Sequence, residues 1–430
     1  MTESTRDLYT LRVRRIWRFL TTQPPSYWLV CIYLFFEYVR PQSIYEPLDV
    51  LPWASLSIVL CLFALFLEGK SWRLIGPADT LLALFCVVVL ASSAVADSPT
   101  ASFHALPLFL SWVLIYVLIT DIVTTERRFL VFVLSFLLYN FKMSLHGTRS
   151  WAEIGFAFRD WGVTGAPGWF ENSGEFGIEM AMFLPISVCF ILALRRYWGK
   201  TKQVVFLLLP LTAVIGMVAS TSRGALLGGA AVLLWFLLRS RYKFRTLFAT
   251  AAVVIAAVAI VPEQQKHRLQ ASGTDATSVS RITYWKDGIK IMNAHPVLGI
   301  GYANWEQYYR WHFNPRGQVP HNIFVQAGSE LGYSGLLVFG LMIVYTFVIN
   351  SRIRNLARRL PEGRFIFLMA HGLDGALVGY LVSGFFVTVL YYPYFWINLA
   401  MTVALHRAAR SEWRRAPGAI APEQASVPVG

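Results

Sequence analysis

Long apolar runs broken by brief polar punctuation dominate this chain. A helix needs roughly 20 mostly apolar residues to cross the hydrocarbon core of a membrane. Such runs fall at about 27–39, 49–67, 79–96, 103–120, 129–146, 176–194, 203–219, 224–239, 246–262, 321–349, 365–390 and 392–406. The pattern predicts an all-α, polytopic membrane protein with about twelve spans. Only Ser220-Thr221-Ser222-Arg223 separates the seventh span from the eighth, which predicts a tight hairpin. The last two meet at Tyr391-Tyr392-Pro393-Tyr394, an aromatic turn suited to the membrane interface.

Two longer polar stretches interrupt the runs, at 147–175 and 262–320. The second holds Ile282, Trp285, Ile289 and Met292 at helical spacing, which predicts an amphipathic helix resting on lipid or protein. In the first, Arg149–Asp160 mixes Trp151, Ile154, Phe156 and Phe158 with charges and reads as interfacial. The expected organisation is a cytoplasmic N-terminus (1–26), nine spans with an outer loop at 147–175 (27–262), a long periplasmic loop with the amphipathic helix (263–320), three more spans (321–408), and a cytoplasmic tail (409–430). No internal repeat is visible.

Composition narrows the class. The chain is 56% hydrophobic and 14% charged, against about 25% charged in ordinary soluble proteins. Disorder is excluded, and a soluble enzyme of this length could not hide so much apolar surface. The net charge of +14 would suit a nucleic-acid binder only if it sat on soluble domains. Instead, most Lys and Arg fall in alternate connections, the bias expected of cytoplasmic loops. Both termini are therefore expected inside. No small-residue cleavage site follows the basic start, so no signal peptide is expected. Cys31, Cys61, Cys86 and Cys189 lie in apolar runs and read as small buried hydrophobes.

The polar groups that could carry chemistry gather on the expected outer side. Ser222 and Arg223 open the eighth span, where free backbone N–H groups and a guanidinium make an anion site. The plainer alternative is an arginine reaching for lipid headgroups. Pro320-His321-Asn322 opens the tenth span. A histidine at a helix N-terminus should stay neutral near pH 7 and could accept a hydroxyl proton; it could equally just bind water. Arg281, with Tyr284 nearby, sits on the amphipathic helix and could turn inward as a second anion ligand or stay solvated. Asn172 and Glu175 precede the sixth span and could touch a polar headgroup or sugar, or simply cap the helix. Lys142, near the outer end of the fifth span, could reach the same place. Glu37, Glu179 and Asp374 are ionisable groups within apolar runs, either functional or paired with cations. Gly299-Ile300-Gly301 reads as a turn. His267, His295, His312 and His321 lack metal spacing, so neither metal nor cofactor is expected.

Taken in order, these stretches resemble the O-antigen ligase and polymerase superfamily. The resemblance rests on Ser220–Gly224, Arg281…Trp285, His295-Pro296-Val297-Leu298-Gly299-Ile300-Gly301, and His321-Asn322-Ile323-Phe324…Glu330-Leu331-Gly332-Tyr333-Ser334-Gly335. It covers roughly 165–350 well and the rest by topology. Around Asn172 the chain departs from an Asn-Pro-Asn-like form. The resemblance implies a GT-C-like glycosyltransferase of the bacterial inner membrane, with its active site facing the periplasm. It would move a glycan from an undecaprenyl-diphosphate carrier to a hydroxyl of lipid A–core, a growing polysaccharide or a protein, inverting the anomeric centre. It assigns Arg223 and Arg281 to the diphosphate and His321 to acceptor activation, with Lys142, Asn172, Glu175, Ser222, Tyr284 and Asn322 as substrate contacts. Membrane lipids are the other implied partners, and nucleic acid is not one. The rival class is a polysaccharide transporter or flippase, but broken midplane helices and repeats are not seen.

Overall fold

The computed structural model describes residues 5–69, 76–158, 162–240, 242–245, 247–248, 251–252, 255 and 275–415. Among the described residues every regular element is helical. Two short helices, α1 (Thr5–Tyr9) and α2 (Val13–Thr21), lead into α3 (Pro25–Tyr38) and the single turn α4 (Pro41–Ile44). Then follow α5 (Trp53–Leu67), α6 (Pro77–Ala94), α7 (Pro99–Ile122), α8 (Glu126–Glu153), α9 (Ser173–Leu194), α10 (Lys200–Ala219) and α11 (Arg223–Arg239). The C-terminal part holds α12 (Ala276–Ala294), α13 (Trp305–His312), α14 (Ile323–Ala357), α15 (Arg364–Gly384) and α16 (Pro393–Arg415). The chain is an all-α polytopic membrane protein.

Eight of the described helices are long and apolar enough to cross a membrane. By the same measure α3, at 14 residues, and α11, at 17, are short, and the second half of α16 carries Arg407, Arg410, Arg414 and Arg415. The expected ninth span, 246–262, lies mostly outside the described residues, as does the tail from 416 onward. Two boundaries differ from the sequence pattern. Helix α8 continues to Glu153, into the expected outer loop, because Trp151 finds packing against Val218 and Ala219. Helix α15 stops at Gly384, so residues 385–392 form a turn longer than the aromatic tetrapeptide expected.

The connections meet in two sets that alternate along the chain, as antiparallel spans require. In one, Trp198 donates to the Tyr9 carbonyl at 2.8 Å, and Arg128 donates to Gln23 at 2.8 Å. In the other, the Ser98 N–H donates to Asn304 at 2.8 Å, Trp112 donates to the Tyr391 carbonyl at 2.9 Å, and the Val163 N–H donates to the Ala219 carbonyl at 3.0 Å. Helix α9 is the hub. Its apolar window is 89% buried inside the protein, against 28% for the span ending at Leu67. Asp374 on α15 ion-pairs with Arg354 of α14 and accepts from Asn350 at 2.9 Å, so this buried carboxylate is a paired structural group. Glu179, 1% exposed, lies near Asn140 instead of a cation.

Helix α14 is broken at Gly332, where φ is 69° and ψ is −173°. The break frees backbone groups that cannot be left bare in a buried setting. The loop after α12 answers them. Ile300 N–H donates to the Ser329 carbonyl at 2.9 Å, Gly301 N–H to the Glu330 carbonyl at 3.0 Å, and Tyr333 N–H reaches the Pro296 carbonyl at 2.8 Å. A Cβ on Gly332 would meet the Val297 backbone at 2.5 Å. The stretch 295–301 and the Glu-Leu-Gly of α14 are thus two halves of one joint.

That joint seats α12, whose buried face differs from the expected stripe. Ile282 and Ile289 are exposed, while Tyr284, Asp287, Gly288, Ile291 and Met292 are buried. Gly288 lies against Val325 of α14, and Asp287 is tolerated inside because Tyr309 donates to it at 2.8 Å. Gly332→Ala should destabilise the fold by about 1–3 kcal/mol, since only glycine adopts this backbone region without strain. The check is the thermal midpoint of the purified protein in detergent, and an unchanged midpoint would refute the joint's importance.

Candidate active site

Three predicted residues converge where α11, α12 and α14 begin. Ser222 caps α11, its hydroxyl accepting the Ala225 N–H at 3.3 Å. Thr221, with φ 52°, makes the tight turn from α10. Arg223 then points across to Asp275, the N-cap of α12, and makes a two-pronged ion pair with it at 2.8 and 3.2 Å. Asp275 also accepts the Ser278 N–H at 3.1 Å and the Ser278 hydroxyl at 2.7 Å. Arg223 and these hydrogen bonds hold its carboxyl well below the usual carboxylate range. Its share of stability is therefore present above the ordinary carboxylate pKa and lost only as pH falls through the lowered value.

Arg281 lies one and a half turns along α12, within electrostatic reach of Arg223. Burial and the like charge of Arg223 both lower its pKa, and Asp275 opposes them. Its Nε atom is buried with no hydrogen-bond partner among the described residues. A planar guanidinium with an unanswered buried donor, beside a second guanidinium, is an arrangement that favours an anion.

His321 is gripped through its backbone. Helix α14 starts two residues later than the sequence pattern suggested, at Ile323. Asn322 is the cap, accepting the N–H groups of Phe324 at 2.8 Å and Val325 at 3.1 Å. His321 therefore precedes the cap, with a left-handed φ of 48°. Its N–H donates to the Thr388 hydroxyl at 2.7 Å, and Trp285 of α12 donates to the carbonyl of Pro320 at 3.0 Å. Burial first, and then the charge of Arg281, push the imidazole down to about 4. The ring is neutral at physiological pH, for a reason (burial beside a cation) different from the helix dipole alone.

The other sequence candidates divide. Ser222 and Asn322 are helix caps at the edge of this group. Asn172 and Glu175 form a capping box on α9, with the Asn172 oxygen accepting the Gly174 N–H at 2.7 Å and Glu175 reaching back to the Asn172 N–H at 3.4 Å. Glu175 also accepts from Tyr392 at 3.0 Å. Tyr284 faces an aromatic cluster, its ring 5.2 Å from that of Tyr309. Lys142 on α8 bears on His146 one turn away, and no hydrogen bond or ion pair joins it to the arginines among the described residues. Asp275 and Thr388 are the parts that sequence reasoning missed, and Trp285, read there as packing on lipid or protein, also donates to the Pro320 carbonyl. The Ser278 partner three residues after Asp275 was a legible cap signal, whereas nothing local marks Thr388.

Residues 208–340 match the family model described as O-antigen ligase. The matched stretch contains Arg223, Arg281 and His321, and leaves Lys142, Asn172 and Glu175 outside. A curated relative, the exopolysaccharide production protein ExoQ of Rhizobium meliloti (strain 1021), is 26% identical over 191 residues, 40% of either chain. The match thus spans less than half of that relative's length. The two findings support the O-antigen ligase and polymerase superfamily.

Asp275→Asn should leave the two guanidinium groups short of this carboxylate and so hungrier for an anion. Inorganic diphosphate should then raise the thermal midpoint of the variant by more than it raises that of the parent. Equal shifts would show that Asp275 does not share the anion's place.

Proposed function

We propose that this chain is a membrane glycosyltransferase of the O-antigen ligase and polymerase superfamily. It moves a glycan from an undecaprenyl-diphosphate carrier to an acceptor hydroxyl at the periplasmic face of the bacterial inner membrane. The observation that carries the reading is the gathering of Arg223 and His321 within electrostatic reach of Arg281, with the buried Nε of Arg281 unanswered among the described residues.

In this reading the two arginines hold the diphosphate of the donor. The acceptor oxygen bonds to the anomeric carbon while the bond from that carbon to the diphosphate oxygen breaks. The electron pair leaves with the diphosphate, where the guanidinium charges stabilise it. The acceptor proton goes to the His321 ring. At a pKa of about 4 the resting imidazole is a weak base. An incoming diphosphate offsets the charge of Arg281 and raises its basicity when the donor is present. The left-handed backbone at His321, held by Thr388 and Trp285, fixes where that ring stands.

Ligation to lipid A–core is the leading reading of the acceptor. Polymerisation is the second, and the exopolysaccharide relative favours it. Deletion separates them. Loss of long-chain lipopolysaccharide with intact core marks a ligase, loss of extracellular polymer a polymerase, and loss of protein-linked glycan a protein glycosyltransferase.

With purified lipid-linked glycan, His321→Ala should cut transfer by about 10²–10⁴-fold. Arg223→Ala and Arg281→Ala should each cut it by about 10²–10³-fold. Full transfer by these variants at matched expression would dismantle the site. The acid limb of kcat/KM, which reports the free enzyme, should fall below the ordinary histidine value of about 6.5. A limb at or above that value would mean that another group titrates.

A further inference from the structure

A second polar place lies outside the arginine–histidine group, where α3 ends. Glu37 stands in the last turn of α3 and Gln42 on α4. Between them Arg40 turns the chain with a left-handed φ of 49°. A cavity of ≈ 260 Å³ opens here, lined by these three residues and by the indoles of Trp53, Trp112 and Trp169. Glu37 is 6% exposed and Gln42 9%. The Oε1 atoms of both have no hydrogen-bond partner among the described residues. Arg40 lies over the Trp169 ring, 6.0 Å from its centre.

Glu37, Arg40, Gln42 and Asp49 give this cavity a polar lining, which calls for a ligand with hydroxyl or N–H groups. The indole walls call for a ligand with an apolar face as well. A lipid chain would satisfy the walls and leave the polar lining unanswered. A phosphate would suit Arg40 and be repelled by Glu37 and Asp49. A bare cation would suit Glu37 and Asp49 but would face Arg40 and leave the three indole walls unused. A sugar ring meets every demand. Its hydroxyls donate to Glu37 and Gln42 and accept from Arg40, and its C–H face rests on an indole.

We propose that this cavity is a carbohydrate-binding subsite that grips one sugar of the glycan away from the reacting centre. The source of that sugar, as part of the transferred or accepting glycan, rests on the glycosyltransferase reading above; the chemistry of the cavity does not. The cavity is joined to the arginine–histidine group through packed rings. The Trp112 ring lies 5.5 Å from that of Trp169, which lies 4.9 Å from that of Tyr392. Tyr392 ends the same 385–392 turn whose Thr388 holds the His321 backbone.

The test is saturation-transfer NMR on the full chain in nanodiscs, with D-glucose, D-galactose and N-acetyl-D-glucosamine as probes. The folded parent should bind at least one saturably, and inorganic diphosphate should not displace it. Glu37→Gln and Gln42→Leu are close to isosteric and should keep the parent's thermal midpoint. Glu37→Gln should weaken binding several-fold, about the cost of weakening one hydrogen bond. No saturable binding by the parent, or equal binding by both variants, overturns the subsite. His321→Ala should bind the sugar as the parent does. Sugar binding in a parent that transfers no glycan would keep the subsite and remove the transferase reading. Glycan transfer with an unaltered KM in Glu37→Gln and no sugar binding would do the reverse.

Discussion

A helix broken inside an apolar bundle must have its freed backbone groups answered, and most of the site geometry follows from how this chain does it. The break at Gly332 leaves the Ser329 and Glu330 carbonyls to be met by Ile300 and Gly301. Meeting them pins the stretch 295–301 to α14. Helix α12 runs straight into that stretch, so its position is fixed at its C-terminal end by the break and along its length by Gly288 against Val325. Arg281 and Trp285 ride on it. One backbone constraint thereby brings a guanidinium to the same corner as His321 and gives the Pro320 carbonyl its donor.

At that corner Asp275 ion-pairs with Arg223 and lies within electrostatic reach of Arg281, whose buried Nε has no hydrogen-bond partner among the described residues. A neutral imidazole adjoins them and adds no charge. Asp275 holds Arg223 in place while also capping α12, so the ion pair and the helix start are one feature. In the proposed reading, a dianionic leaving group would add the negative charge that this corner favours and would strengthen His321 as a base.

Much of this was legible in the sequence. Apolar runs of membrane length marked most of the spans, and the Ser220–Gly224 turn, Arg281 and His321 were recognisable together. What escaped notice depends on contacts far apart in the chain. Thr388 lies 67 residues from His321 in sequence, and no periodicity encodes such a partnership. The buried face of α12 differs from the apolar stripe because it contains Asp287, a polar residue made acceptable by the hydroxyl of Tyr309 and the ammonium of Lys290. Helix α14 was expected to begin at His321. Asn322 proved the cap, which left His321 free to adopt a left-handed turn that a first-turn residue could not. The acidic residues within apolar runs likewise sorted only by their surroundings: Asp374 next to Arg354, Glu37 at the rim of a cavity.

The most direct test of the central claim is an experimental structure with a polyprenyl diphosphate bound. The account predicts diphosphate density between Arg223 and Arg281, with the Arg223–Asp275 contact, now 2.8 Å, opened and the His321 ring facing the anomeric position. Diphosphate held elsewhere, with that ion pair intact, would contradict it.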